Sequence, residues 1–196
     1  MSLVHALVVD IVGYQLLQDW KTFDLDMPNT PKQTRMLQFS LGYMIADFGY
    51  LMLFTPTDLL FIVHHTISSF YIVGCLKHGH SAISCILMFW MGEITSPLLN
   101  AFTFSRELRH VSKAAQKVFA LVSPLFTAVY ILVRSIVAPP LVVWFVYSLW
   151  FRASAIPLAW RAPMGACVTL GIVGSQVWTA KLVKGFMRQR KKAKAV

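Results

Sequence analysis

The chain has 196 residues, of which 57% are hydrophobic and only 13% charged, with a mean hydropathy of +0.61. A soluble domain carries about a quarter of its residues charged, so the composition excludes an ordinary soluble enzyme or binding module and marks a membrane protein. The net charge of +10 gathers at the C-terminal end, where Lys181, Lys184, Arg188, Arg190, Lys191, Lys192 and Lys194 suit an anionic cytosolic membrane face; nothing else in the chain favours nucleic acid as a partner.

A membrane span needs about 20 largely apolar residues. The first apolar segment, Ser2 to Leu17, is short for one, carries His5 and Asp10, and lacks the basic leader and cleavage site of a signal peptide. Gln18 to Arg35 is a polar connection with two prolines, Pro28 and Pro31. Met36 to Phe54, Leu59 to Leu76 and Ser81 to Phe104 then read as spans, followed by a basic connection, Arg106 to Lys117. Val118 to Phe151 is too long for one ordinary span, and Pro139-Pro140 predicts a kink or break in it. Met164 to Val183 is the last span. Cys75, Cys85 and Cys167 are isolated in apolar runs, the pattern of buried inert thiols and not of disulfides or a zinc site.

Orientation follows from the basic connections. The tail and the loop Arg106 to Lys117 both belong in the cytosol, so Val118 to Phe151 must cross the bilayer an odd number of times. One crossing followed by a kinked or re-entrant piece is the simplest solution. The expected division is a transmembrane domain over residues 1–186 and a basic cytosolic tail over 187–196. Lys192 and Lys194 stand five and three places from the carboxyl end, the spacing of a dilysine retrieval signal read by coat proteins; simple lipid-facing charge is the alternative.

Polar residues inside spans need a partner or a wet cavity. Helical spacing puts Ser40, Tyr43, Asp47 and Tyr50 on one face, and His64, Ser68 and Tyr71 on the face of the next helix. Glu93, Ser96, Asn100 and Thr103 form a third stripe, Ser123, Thr127, Tyr130 and Arg134 a fourth, and Thr169, Gln176 and Thr179 a weaker fifth. Turned inward, such stripes build an all-α bundle around a partly polar chamber; the alternative is that they only glue helices together. Asp47, Glu93, His64 and His65 cost the most to bury, which makes them the leading functional candidates. His64 and His65 point about 100° apart on a helix and do not chelate one metal. Proton transfer, nucleophilic attack and hydrogen bonding to a lipid head group stay open for the pair. Cofactor fingerprints and a P-loop are absent from the sequence.

Five stretches in order, "LVHALVV" (Leu3 to Val9), "GYMIADF" (Gly42 to Phe48), "DLLFIVHH" (Asp58 to His65), "GEITSPLLN" (Gly92 to Asn100) and "YILVRSI" (Tyr130 to Ile136), resemble the TLC (TRAM–Lag–CLN) domain family of endoplasmic-reticulum membrane proteins. The resemblance implies about six transmembrane helices around a lipid-accessible chamber, with His64 and His65 facing inward. It is closer to general and plant-type members than to the ceramide synthases, whose His pair is followed by an Asp-x-x-Asp motif. Those acidic positions fall near Glu93 and Ser96, so one carboxylate is conservatively changed and the other lost. The family also places a helix before "LVHALVV", which leaves His5 and Asp10 expected nearer to lipid in this chain.

The resulting expectation is a multi-pass endoplasmic-reticulum protein that binds, senses or modulates membrane lipids, with no cofactor. One alternative is a ceramide-synthase-like N-acyltransferase joining acyl-CoA to a sphingoid base, with His64 or His65 as base or acyl acceptor and Glu93 or Asp47 orienting it. Asn100, Tyr43, Ser68 and Arg134 are then candidate lipid contacts, and Arg134 is either a receiver of the acyl-CoA head or a helix-end cation. The other alternative is a receptor for cargo or a partner protein.

Overall fold

The computed structural model describes residues 3–18 and 24–194, with side chains described as far as Arg188. The described elements are helices α1 (Leu3–Gln18), α2 (Pro31–Phe54), α3 (Leu59–His78), α4 (Ala82–Glu93), α5 (Ser96–Leu108), α6 (Lys113–Ile131), α7 (Ala138–Phe151) and α8 (Leu158–Lys194). A π-helical stretch, Leu132–Val137, joins α6 to α7. Two pairs act as single rods: α4 with α5, and α6 through the π stretch to α7. The described residues thus form six rods, five of them long and apolar enough to cross a membrane and α1 shorter. Lys192 and Lys194 fall in the last turns of α8, where side chains lie outside the described residues.

Each boundary has a local cause. Thr30 opens α2 with a capping box: its hydroxyl accepts from the Gln33 N–H, while the Gln33 side chain accepts from the Thr30 N–H, and Pro31 stands at the first turn where its missing N–H costs nothing. The α4–α5 rod breaks at Ile94 and Thr95 because Pro97, in the first turn of α5, has no N–H to give the Glu93 carbonyl. Pro139 and Pro140 do not break the long crossing where they stand. They sit in the first turn of α7, and the irregularity lies just upstream, in the π stretch. The whole of Lys113–Phe151 is therefore one continuous helical rod, long enough for a single crossing, and does not fold back on itself.

Short connections send successive rods back antiparallel. One end of the bundle gathers residues 24–30, 79–81 and 152–157; the other gathers 55–58, 109–112 and the end of α8. The first end is tightly bonded. Asn29 donates to the Cys75 carbonyl (2.8 Å) and accepts from the Ala82 N–H (2.8 Å), so one side chain serves the end of α3 and the start of α4. The turn it spans uses left-handed backbone at Gly79 and Ser81, both at φ 68°. Asp26 accepts from the Ser154 N–H (2.8 Å), the Ser154 hydroxyl and the Ala155 N–H (2.9 Å), clamping the α1–α2 connection to the α7–α8 connection. Burial works against the Asp26 carboxylate, but these hydrogen bonds outweigh it and hold its pKa below the ordinary carboxylate value.

Two apolar clusters hold the rods together. The larger one joins Leu37 and Met44 of α2, Ile72 of α3, Ile86 of α4, Phe145 and Leu149 of α7 and Met164 of α8. The smaller one stacks Phe102, Phe119, Phe126 and Tyr130 along α5 and α6 against Trp178 and Leu182 of α8. Apolar side chains on the outer faces of the helices, such as Leu53, Leu121 and Val143, stay exposed, as a membrane protein requires.

Candidate functional site

Between the two clusters lies a cavity of about 210 Å³ lined by α3, α4, α5, the end of α6, the π stretch, α7 and α8. Its polar wall carries His64, Ser68, Glu93, Ser96, Arg134 and Ser175. Its apolar walls come from residues such as Leu60, Ile67, Met88, Val142, Val168 and Leu170. His64, Ser68 and Tyr71 share it, as their helical spacing predicts. His64 keeps exposed surface because it borders this space.

The paired histidines have separate surroundings. His64 faces the cavity, whereas His65 is buried and turns toward α2, its ring at 86° to that of His64. His65 Nδ1 lies 2.9 Å from the Phe61 carbonyl, which only accepts, so Nδ1 carries a hydrogen. His65 Nε2 stands 2.9 Å from Asp47 Oδ2. This is a close charge contact between a buried ring and a carboxylate, without the alignment of a hydrogen bond. The Phe61 carbonyl thus sets the tautomer of His65, and Asp47 stands against its far nitrogen without reaching the cavity.

Glu93 is engaged by a residue that sequence reasoning placed near lipid. His5 is 2% exposed, its Nδ1 3.4 Å from Glu93 Oε1 and its Nε2 3.2 Å from Ser40 Oγ. Its ring stacks on Tyr43 with centroids 4.0 Å apart, and Tyr43 lies 6.2 Å from the ring of His65. Tyr43 is therefore a spacer between the two histidine–carboxylate pairs and lies outside the cavity lining. Asn100 is also outside it, donating to the Ser96 carbonyl at 2.9 Å. A lone histidine in an apolar run offers no spacing partner on its own helix, which is why His5 escapes a reading based on stripes.

Arg134 is no helix-end cation. It sits in the π stretch near the middle of the long crossing, with Nη2 donating to the Gly92 carbonyl (2.7 Å) and Nη1 to Ser175 Oγ (3.3 Å). A Cβ on Gly92 would stand 3.4 Å from Arg134 Nη2, so the missing side chain makes the approach comfortable. The Ala138 N–H donates to the Val133 carbonyl, five residues back instead of four. That takes the usual donor from the Arg134 carbonyl, and the next candidate is Pro139, which has no N–H. Gln176 fills the deficit, its side-chain amide donating to the Arg134 carbonyl at 2.7 Å. Nearby, Ser135 Oγ and Thr179 Oγ1 are 3.0 Å apart, a second tie between the π stretch and α8. The weak stripe of Thr169, Gln176 and Thr179 thus contributes two of its three members to one junction; Thr169 bonds back to the Gly165 carbonyl.

The described residues hold no cluster of three or more potential metal ligands. A family model for the TLC domain matches residues 1–184. A TLC domain-containing protein of Arabidopsis thaliana is 33% identical over 157 residues, covering 74% of this chain and 61% of that relative. This chain thus spans a little under two thirds of the relative's length. No solved structure matches it.

Proposed function

The chain belongs to the TLC domain family, which is broadly linked to lipid-related membrane functions, and from that premise we propose that it binds membrane lipids within the bundle and modulates lipid composition in the endoplasmic reticulum. One observation carries this reading: a single cavity joins apolar walls on α3 and α8 to a polar wall of His64, Glu93 and Arg134. An amphiphile needs that combination, and a packed structural core does not. In this reading His64 meets the lipid directly, while His65 and Asp47 brace the helix that presents it.

The acyltransferase alternative needs a base at the cavity and a partner to orient it. His64 supplies the first. Glu93 is committed to His5, and Ser96 stands where the family's second acid is expected, so the binding reading is preferred. The deciding experiment uses purified full-length protein. Photoreactive lipid analogues should label cavity residues of α3 and α8, and His64→Ala should weaken labelling without loss of the folded state. An acyl-CoA and sphingoid-base mixture should yield no N-acyl product. Product formation that vanishes in His64→Ala would replace binding with catalysis. Retrieval by coat proteins is tested separately: Lys192→Ser with Lys194→Ser should let the protein leave the endoplasmic reticulum, and unchanged localisation would refute the signal.

A further inference from the structure

Arg134 poses an electrostatic problem that the surrounding protein leaves partly unsolved. Its position near the middle of the Lys113–Phe151 crossing puts it roughly 30 Å along the helix from Lys113, at 1.5 Å per residue. A guanidinium has five N–H donors and is always charged. Ser175 and Gly92 take one each, and the buried Nε–H has no partner. The Tyr130 ring stands 5.7 Å from the guanidinium carbon, a weak counterpart for a full charge. Among the described residues, Arg134 makes no ion pair; Glu93 attracts it but is held by His5 and Ser96. Leaving a cation uncompensated in a low-dielectric interior is costly. The cavity onto which this guanidinium opens also carries the His64 ring.

We propose that Arg134 and His64 form a seat for an oxyanion, the carboxylate or phosphate monoester of a membrane lipid head, with Gln176 as the positioning residue that holds the seat in place. The proposal rests on the lipid-binding reading above and adds the charge of the ligand. Three features point to it. The guanidinium is planar and lines the same cavity as the His64 ring, and a planar fork of donors suits a carboxylate or phosphate. The site lies deep in the long crossing, beside apolar walls that suit the start of a lipid tail and strand a water-soluble nucleotide from water. The backbone that carries this side chain is also tied down: the π stretch and Pro139 strip the Arg134 carbonyl of its helical donors, and Gln176 replaces them from α8.

The test uses the full chain in nanodiscs of neutral lipid, titrated with photoreactive analogues of a fatty acid, phosphatidic acid and diacylglycerol. Hydrogen bonds to a charged group exceed neutral ones enough to lower half-saturation about tenfold for the two acidic analogues relative to diacylglycerol. Arg134→Gln should erase that preference while diacylglycerol labelling persists, and Arg134→Lys should restore part of it. Gln176→Leu should shrink the preference several-fold without changing diacylglycerol labelling, a split that a merely structural role would not produce. Equal half-saturation for all three analogues in the wild-type protein would overturn the oxyanion seat and leave lipid binding standing. Absence of cavity labelling by any analogue would instead overturn lipid binding itself. Displacement of the acidic analogues by equimolar inorganic phosphate would make the site an ion seat with no use for a tail, and would also overturn the proposal. The wild-type comparison decides the matter even if Arg134→Gln fails to fold.

Discussion

Two adjacent histidines have different surroundings because adjacent helical residues point in different directions. His65 is buried against Asp47, with Nε2 2.9 Å from the carboxylate. Removing one partner leaves the other polar group unsatisfied, whereas removing both leaves an apolar contact. Asp47→Leu should therefore destabilise the protein by about 1–3 kcal/mol. The double variant Asp47→Leu with His65→Leu should regain most of that, measured by thermal unfolding in detergent as a double-mutant cycle. Additive losses would show that the two side chains act independently.

Asp26 belongs to the same scale but lies outside the spans. Its carboxylate is held below its ordinary pKa by Ser154 and Ala155, so its contribution to stability is complete above the unfolded-state value and is lost as pH falls through the lower folded value. The thermal-stability gap between wild type and Asp26→Ala should stay constant from neutral pH down to about pH 5 and close only below about pH 4. A gap that closes between pH 8 and pH 6 would assign the effect to another group.

At the scale of elements, the long crossing shows how a proline pair acts at a distance of one turn. Val118 to Phe151 reads in sequence as an overlong apolar run with a break at Pro139. Instead the helix continues through the prolines, because their missing donors are absorbed upstream by a π register and by a side chain from α8. Gln176→Leu should cost about 1–3 kcal/mol in the wild-type background, the cost of one orphaned buried carbonyl. In a Pro139→Ala background it should cost much less, since an N–H at position 139 can serve the Arg134 carbonyl directly. Equal costs in both backgrounds would mean that Gln176 contributes by packing alone.

At the scale of the molecule, six passes place the basic connection at residues 109–112 and the end of α8 at one end of the bundle, together with residues 55–58. Single cysteines introduced at Thr57, His110 and Met187 in an otherwise cysteine-free chain should react with a membrane-impermeant thiol reagent from the same side. Cysteines at Met27 and Arg152 should react only from the other. Mixed accessibility within either set would contradict six passes. The positive-inside bias assigns the first set to the cytosol, and protease protection in sealed microsomes tests that assignment.

Much of this was legible in the residues. Composition dictated a membrane protein, apolar run lengths and short polar connections dictated most of the passes, and the motif order of Leu3 to Ile136 pointed to the family that the chain belongs to. Helical spacing also put His64, Ser68 and Tyr71 on one face, because that relation lies within a single helix and needs no neighbour. Partnerships between helices were decided only by tertiary structure. His5 meets Glu93 and Ser40 across three different rods, Asp47 claims His65 and leaves His64 to the cavity, and Gln176 repairs a carbonyl 42 positions away. Periodicity fixes which way a side chain leaves its own helix, but which other helix stands there depends on packing, and packing is where the chemistry of this site was assembled.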